Sequence, residues 1–292
     1  MSEGEKNMTQ PRSIALLLTG KPTMEGAGVR LNRIFGHPEV PRFDPFLLLD
    51  DFGSDNPEDY IAGFPWHPHR GIETVTYMLS GEVEHGDSLG NEGVIGAGDV
   101  QWMTAGSGII HQEMPQRIDD RLRGFQLWSN LPAASKMMAP RYRDVPAATI
   151  PEISPHEGLR IKVIAGEVAG IRGPVQDVVV EPEYLDVPLE PGADLEHPTA
   201  TGHTAFAYAI DGRGKVGPNG THELGRGQLA LFTNGSSVLA GASDVPFRFL
   251  LVTGKPLGEA VAWSGPIVMN TREELATAFR EYQEGTFIKQ TG

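Results

Sequence analysis

The feature that most constrains the fold of this chain is an internal repeat. Residues 74–81 (TVTYMLSG) align with residues 205–212 (AFAYAIDG) at an offset of 131 residues. Residues 96–108 (GAGDVQWMTAGSG) align with residues 225–237 (GRGQLALFTNGSS) at an offset of 129 residues. The smaller second offset indicates a shorter hairpin tip in the second copy, which is where an antiparallel barrel tolerates deletions. The repeat predicts a duplicated β-barrel.

Length and composition also indicate two all-β units. A chain of 292 residues is long enough for two domains that each bury a core. Its 36 Gly and 23 Pro residues indicate many tight turns, and short runs such as FLLLDDF and IETVTYMLSG are typical of strands. We therefore expect an all-β fold of two tandem barrels, residues 1–140 and 141–292, with the proline-rich stretch PRYRDVPAATIPEISP as the connection between them.

Helices are expected in only two places. Residues 131–138, which open with Pro132, are a candidate for one short helix. Near the carboxyl end, Thr271 and Glu274 form a capping-box pattern ahead of an amphipathic segment that stops at Gly285. The second pattern predicts a short C-terminal helix.

Charge and cysteine content limit the function. The net charge of -14 repels phosphate backbones, so we expect no direct binding of nucleic acid. The opening MSEGEKNMTQPR is polar and charged, and no apolar run approaches the roughly 20 residues of a membrane helix, so we expect a cytoplasmic protein without membrane contact. Because the chain has no cysteine, any bound metal must use imidazole and carboxylate ligands.

Two short motifs carry the candidate chemistry. In an extended strand, residues two apart point to the same face, so His67 and His69 of HPH would aim both imidazoles at one point. Pro68 favours the extended conformation between them. His111 and Glu113 of HQE have the same spacing, and a strand that pairs beside the first would add their side chains. The sequence therefore predicts a site of three nitrogens and one oxygen for a redox-capable transition metal.

Glu73 is the rival carboxylate for this site. Glu73 lies four residues after His69, so its side chain would face the same side as His67 and His69 if the strand continues without a bulge. In the alternative interpretation, its carboxylate accepts a hydrogen bond from a ligating imidazole. Trp66 and Trp102 flank the ligand strands, and we interpret both as barrel core in preference to a substrate wall.

The repeat provides an internal control for the site. The two offsets carry the four ligand positions onto residues that cannot bind a metal: Pro198, Ala200, Ala240 and Ala242. We therefore expect the second barrel to be free of metal. The remaining histidines lack the two-residue spacing and are interpreted as structural or surface groups: His37, His85, His156, His197, His203 and His222.

At these residues the sequence resembles the pirin family of the cupin superfamily. The resemblance covers nearly the whole chain and rests on four stretches: FDPFLLLDDFG (43–53), FPWHPHRGIETVTYMLSGEVEHGDS (64–88), GDVQWMTAGSGIIHQEMP (98–115) and GPIVMNTREEL (265–275). It implies two jelly-roll barrels, metal in the first barrel alone, and four metal ligands: His67, His69, His111 and Glu113. Against the wider cupin pattern Thr104 replaces the usual Pro and Glu73 lies near the usual carboxylate, so Glu113 as a ligand rests on the pirin match.

Members of that family are known as quercetin 2,3-dioxygenases and as iron-dependent nuclear cofactors of transcription. The first implies a dioxygenase that opens a flavonol-like substrate with O2, in which Glu113 is both ligand and base. Fe(II) is the first choice of metal, and Mn, Ni, Co, Cu and Zn are alternatives because ligand type does not fix the ion. The second implies a non-enzymatic iron-binding redox sensor that acts through a protein partner. A third interpretation, a purely stabilising metal, predicts four closed ligands and no accessible cavity.

Overall fold

The computed structural model describes residues 10–118, 121–220 and 222–289, and most of them lie in β-strands. In chain order, the strands of the first half are β1 Ile14–Thr19, β2 Lys21–Glu25, β3 Val29–Phe35, β4 Phe46–Ser54, β5 Phe64–His69, β6 Ile72–Ser80, β7 Glu82–Asp87, β8 Glu92–Ile95, β9 Val100–Thr104, β10 Ile109–Gln116, β11 Leu122–Asn130 and β12 Arg141–Val145. Those of the second half are β13 Glu152–Ile153, β14 Ile161–Ala165, β15 Glu167–Val168, β16 Ile171–Arg172, β17 Glu183–Leu189, β18 Asp194–Pro198, β19 Thr204–Val216, β20 His222–Gly225, β21 Gln228–Phe232, β22 Ser237–Gly254, β23 Ala262–Ser264 and β24 Ile267–Met269. The α-helices are α1 Val40–Phe43 and α2 Arg272–Gln283.

The strands form two barrels of matching topology. In the first, a sheet of order β12-β9-β6-β11-β4-β3-β2 faces a smaller sheet of order β5-β10-β7-β8. In the second, the main path is β1-β21-β19-β22-β17-β14-β13, with β18 and β20 paired to β22 and β19. The repeated segments supply β6 and β19, which hold equivalent central positions. The expected all-β fold with two tandem cupin barrels is confirmed.

The barrels exchange edge strands. β1 precedes the first barrel in the chain but pairs with β21 of the second, and β12 precedes the second barrel but pairs with β9 of the first. The expected domain limits 1–140 and 141–292 therefore do not coincide with the limits of the sheets. That these two ranges are separate domains remains a prediction. Each of these two strands forms one edge of the sheet that it joins.

A continuous apolar cluster lies between the large sheets of the two barrels. Phe35 of the first half packs against Phe206 of the second with ring centroids 5.6 Å apart. Strand β6 is buried over Ile72–Met78 because one face lines the first barrel and the other faces the second barrel. This double burial explains why its sequence is largely apolar instead of strictly alternating.

Two reciprocal hydrogen bonds cross this interface. The Tyr77 hydroxyl donates to Asp186 of the second barrel at 2.6 Å, and Tyr208, the counterpart of Tyr77 in the repeat, donates to Asp51 of the first. Each barrel therefore contributes one tyrosine that bonds a carboxylate of the other barrel, and the two bonds are related by the approximate twofold symmetry of the duplication.

The interiors of the barrels differ. Apolar side chains fill the second barrel, and Ala240 and Ala242, which occupy positions of the repeated ligand pattern, belong to that core. The first barrel has a smaller apolar cluster around Phe52, Tyr60 and Met78 and retains an internal cavity. Its polar and histidine side chains are therefore free to serve a site.

The two helix predictions have different outcomes. The terminal helix is confirmed as α2, in which Thr271 accepts from the Glu274 backbone and Glu274 accepts in return. The helix expected over residues 131–138 is wrong, since only a 3-10 turn, Ala133–Ser135, forms there. Pro132 is the N-cap of this turn, and Pro140 disfavours helical backbone at the residue before it. The proline-rich connection also contains two strands, β12 and β13.

Within the described ranges no helix is long and apolar enough to cross a membrane. Residues 1–9, which include most of the polar opening, lie outside those ranges. The cytoplasmic location stays a prediction.

Candidate metal centre

The HPH and HQE motifs lie on adjacent antiparallel strands. His67 of β5 is the register partner of His111 of β10. Alternate residues of β10 from Ile109 to Pro115 are buried, so His111 and Glu113 both point into the barrel. The pairing expected from the spacing of the two motifs is therefore present in the structure.

Three imidazoles converge at this point. His67, His69 and His111 each offer a ring nitrogen, and these nitrogens lie within 4.8 Å of one another. Nε2 of His67 and Nε2 of His69 are 3.1 Å apart. Two ligands that are each about 2.1 Å from one ion can have this separation.

Backbone carbonyls fix the tautomers of two of these rings. Nδ1 of His67 lies 2.9 Å from the Pro65 carbonyl oxygen, and Nδ1 of His69 lies 3.1 Å from that of Pro266. A carbonyl only accepts, so each Nδ1 carries the hydrogen and each Nε2 presents a lone pair. This is the usual arrangement behind a metal-ligating histidine, and the two lone pairs repel unless a cation lies between them.

His111 completes the case for a metal. Its ring is fully buried, and neither nitrogen has a hydrogen-bond partner among the described residues. Burial, with the neighbouring His67, holds the pKa of both His69 and His111 well below the usual value, so both rings are neutral at pH 7. Neutral imidazole is the form that ligates a metal, and a ligated ring nitrogen is no longer an unpaired buried group.

Glu113 lies beside the histidines but outside the close cluster that they form. Its Oε1 lies 3.0 Å from the Thr76 hydroxyl, which also lies 2.5 Å from Oε1 of Gln126. A hydroxyl has one hydrogen, and donation to the carboxylate is the stronger bond. If the Gln126 amide is turned over, its Nε2 donates to Thr76, and a consistent chain runs from Gln126 through Thr76 to Glu113. The structure brings three of the four expected ligands together, and Glu113 as the fourth stays a prediction.

Glu73 is not part of the site. Gly71, with a φ of 78°, turns the chain between β5 and β6, so the strand does not run on from His69. Thr76 faces the cavity, and alternation along β6 puts Glu73 on the opposite face of the sheet. There its Oε1 accepts from Thr104 at 2.7 Å. The interpretation of Glu73 as a rival ligand is therefore wrong.

A cavity of about 470 Å³ opens beside the histidines. This volume is in the range of small-molecule sites. His67, His69 and Glu113 line part of it, and most of the remaining wall is apolar or aromatic. The other ionisable or amide and hydroxyl side chains of the lining include Glu25, Arg33, His37, Asp50, Thr76 and Gln126. A closed, four-ligand stabilising site without a cavity does not describe this geometry.

Several parts of the site were not found by sequence reasoning. The C-terminal half supplies Trp263 and Pro266 to the cavity, and Pro266 also holds His69. The only sequence signal for them was their place in or next to the motif GPIVMNTREEL. Asp50 had a clearer signal, since a carboxylate within FLLLDDF, two residues from Leu48 and Phe52, faces the same side as they do.

The structure also shows where Trp66, Trp102 and His85 lie. Trp102 is buried as expected, but the core interpretation is wrong for Trp66, which is 52% exposed at the edge strand β5. His85 is buried, and its ring stacks on Tyr142 with centroids 4.7 Å apart. It also approaches His111 to 5.3 Å between centroids, so it packs behind the ligand cluster.

Two tandem cupin barrels, with a histidine cluster in the wall of the first, define the chain as a bicupin. A family model described as Pirin matches residues 28–129, and one described as Pirin C-terminal cupin domain matches residues 184–288. The chain belongs to the pirin family.

Known proteins resemble it over nearly their full length. A pirin-like protein of Caulobacter vibrioides is 44% identical over 277 residues, which cover 94% of this chain and 99% of that protein. Pirin of Homo sapiens is 39% identical over 280 residues, 94% of either chain. A crystal structure of quercetin 2,3-dioxygenase from Acinetobacter baumannii superposes with a TM-score of 0.88 at 33% identity, covering 95% of this chain and 99% of that one.

Proposed function

We propose that the protein is a metal-dependent dioxygenase of the pirin type that opens a flavonol-like substrate with O2. The observation that carries this proposal is the convergence of three imidazole nitrogens beside a cavity of about 470 Å³, which His67 and His69 line. A redox centre beside a cavity of ligand size suits chemistry on a bound molecule. The similarity to a structure of quercetin 2,3-dioxygenase from Acinetobacter baumannii supports the same substrate class.

The residues that would hold the ion are His67, His69, His111 and Glu113. Fe(II) is our first choice, and Mn, Ni, Co, Cu and Zn are alternatives, since three nitrogens and one carboxylate oxygen fit each of them. When bound, such an ion would supply redox chemistry between an organic substrate and O2.

Glu113 is the proposed base. Its carboxylate lines the cavity, and the Thr76 hydroxyl occupies Oε1, which leaves Oε2 as the oxygen to receive the proton of the substrate enol hydroxyl. Thr76 is a positioning residue in this scheme, since it fixes the carboxylate and is itself held by Gln126. The proton leaves the hydroxyl oxygen, and the electron pair of that O–H bond remains on the substrate.

Aromatic side chains give the cavity its walls. The Trp128 ring packs edge to face against the His69 ring, with centroids 5.1 Å apart. The centroids of the Trp263 and Trp128 rings are 6.0 Å apart. Such surfaces favour a flat aromatic ligand and exclude water from the proton transfer.

Turnover of quercetin tests the proposal. Protein loaded anaerobically with Fe(II), and in parallel with the other candidate metals, is mixed with quercetin and exposed to air. We expect loss of the flavonol absorbance, uptake of O2 and release of CO, all absent with metal-free protein. No turnover with any of the metals would contradict the proposal.

One observation favours the second candidate, a redox sensor that acts through a protein partner. The HPH strand β5 is the edge strand of its sheet, and Trp66, next to His67, is half exposed there. A change at the metal would reach this surface directly, and the net charge of -14 would favour a basic partner. A protein that binds metal, turns over no phenolic substrate and changes the solvent exposure of Trp66 with the oxidation state of iron would support this candidate.

A further inference from the structure

A row of polar side chains crosses the large sheet of the first barrel. Arg33 on β3 is the register partner of Asp50 on β4, Asp50 is that of Gln126 on β11, and Gln126 is that of Thr76 on β6. All four line the cavity. We call these four residues the polar row. Because Thr76 bonds Glu113, the row runs from the candidate metal centre across the cavity wall.

Apolar side chains lie on both sides of the polar row. Phe52 and Leu31, two residues further along their strands, line the cavity on one side of it, and Leu48 and Trp128 line it on the other. A flat ring can therefore lie against apolar surface while groups at its edge meet polar atoms. This arrangement fits an aromatic ligand that carries several polar substituents.

The second barrel lacks such a row. The corresponding register positions in its sheet are apolar from end to end: Val163, Leu185, Leu251 and Ala207. Ala207 is the counterpart of Thr76 at the repeat offset of 131 residues. Burial of polar side chains without ligands or partners is costly, so the difference marks the row as a feature of the barrel that holds the candidate site.

The row presents hydrogen-bond acceptors to the cavity. Arg33 uses three of its five N–H donors internally, with Nε and Nη2 on the two oxygens of Asp50 at 2.9 and 2.8 Å and Nη1 on Glu25 at 2.8 Å. Each carboxylate oxygen has two lone pairs, so Asp50 and Glu25 can accept further bonds. In the structure Oε1 of Gln126 lies on the Thr76 hydroxyl, and with the amide turned over so that Nε2 donates to Thr76, Oε1 becomes a further acceptor. Hydroxyl groups of a ligand fit this set, because each can donate to these acceptors and can also accept from the remaining N–H groups of Arg33.

We infer that the polar row recognises phenolic hydroxyl groups distant from the metal, so that the cavity prefers a polyhydroxylated flat aromatic over the same ring system without those hydroxyls. Thr76 and Asp50 are two strand spacings apart, about 9 to 10 Å, which requires a ligand longer than one ring. The inference rests on the proposed function for the location of the ligand and adds the basis of its selectivity.

Equilibrium binding without oxygen tests the inference separately from turnover. Quercetin and 3-hydroxyflavone, which lacks the distal hydroxyls, are titrated into the metal-loaded protein under anaerobic conditions, with tryptophan fluorescence as the readout. In the wild type we expect quercetin to bind at least about 10-fold more tightly than 3-hydroxyflavone, because one or two hydrogen bonds to charged or amide acceptors contribute that much affinity. In Gln126→Met and in Asp50→Asn the ratio of the two affinities, quercetin over 3-hydroxyflavone, should fall severalfold. The affinity for 3-hydroxyflavone should be retained, and this retained affinity also shows that the cavity is intact.

Asp55→Asn is the matched control, since its side chain is 81% exposed and is not among the residues that line the cavity, and its ratio should equal that of the wild type. Equal affinity of the wild type for both probes, or an unchanged ratio in both variants, would overturn the inference. If the protein turns over quercetin but shows no preference, the dioxygenase proposal stands and the recognition role of the row fails. If it shows the preference without turnover, the recognition role stands and the dioxygenase proposal fails.

Discussion

His67 and His69 face each other through Nε2 atoms that lie 3.1 Å apart, while each ring gives its Nδ1 hydrogen to a backbone carbonyl. Two lone pairs at this distance require a positive charge between them. A proton is a poor candidate, because burial holds the pKa of His69 well below its usual value. The arrangement is therefore best explained by a metal ion, and the predictions below depend on it.

Removal of one ligand should release the metal. In His69→Ala we expect the metal content to fall severalfold, because one of the proposed four ligands is lost together with its bond to Pro266. Elemental analysis of protein loaded with one equivalent of Fe(II) measures this. An unchanged metal content in the variant would count against the site.

The second barrel supplies the control for that experiment. His197 is buried and lies 3.2 Å from Glu183, which gives it a structural partner. The double variant His197→Gln, His203→Gln should keep one metal per chain. A fall in stoichiometry would mean that the second barrel also holds metal, contrary to the expectation from the repeat.

Substitution of the base should separate chemistry from binding. In Glu113→Gln we expect activity to fall by about two to four orders of magnitude with a smaller loss of metal, because the amide keeps an oxygen ligand but cannot take a proton. The measurements are kcat for quercetin and metal content of the same preparation. Equal losses of both would remove the role of Glu113 as base and leave it as a ligand alone.

Thr76 should matter through Glu113. In Thr76→Val the carboxylate loses its hydroxyl donor, and we expect kcat to fall by about 10-fold or more while metal content is retained. Thr76→Ser keeps the hydroxyl and should restore most of the activity. Thr74→Val makes the same change two residues away on β6, where the structure gives no bond to Glu113, and should resemble the wild type. A Thr76→Val variant with normal kcat would show that Glu113 needs no such support.

Lys136 should give stability a pH dependence. This buried ammonium donates to the carbonyl oxygens of Gly71 and Val268 and to the Asn130 side chain, and so ties the C-terminal segment to the first barrel. We expect Lys136→Met to lower the free energy of unfolding by about 2 kcal/mol at pH 7, because these acceptors lose their donor. Urea unfolding of both proteins measures the difference.

The sign of the pH effect follows from the pKa. Burial lowers the pKa of Lys136 to about 8, whereas the unfolded chain retains the usual value of 10.5. Between these values the unfolded state binds more protons, so the stability of the wild type rises with pH relative to Lys136→Met. From pH 8 to pH 9.5 the difference should widen by about 1.5 kcal/mol. A constant difference would mean that Lys136 keeps an ordinary pKa.

The sequence predicted those parts of the molecule that follow from local periodicity. Two-residue spacing put His111 and Glu113 on the buried face of β10, the capping pattern at Thr271 began α2 where expected, and the repeat gave matching barrels. In each case a rule that acts over a few residues, or a copy of a whole unit, determines the structure.

The failures come from long-range contacts. Nothing local indicates that β1 pairs with β21, or that Pro266 reaches His69 across 197 residues of sequence. The alternation of side chains along a strand gave the wrong face for Glu73, because alternation applies only within an unbroken strand. Gly71 breaks the strand between β5 and β6. The polar row escaped notice because its members come from four separate strands, and only their register brings them together.

Anomalous diffraction from crystals of the Fe(II)-loaded protein, measured above and below the iron absorption edge, tests the central claim most directly. The account predicts one strong anomalous peak per chain, surrounded by Nε2 of His67, Nε2 of His69 and a ring nitrogen of His111, with no peak in the second barrel. A fully loaded crystal with its peak elsewhere, or with no peak between these three rings, would contradict it.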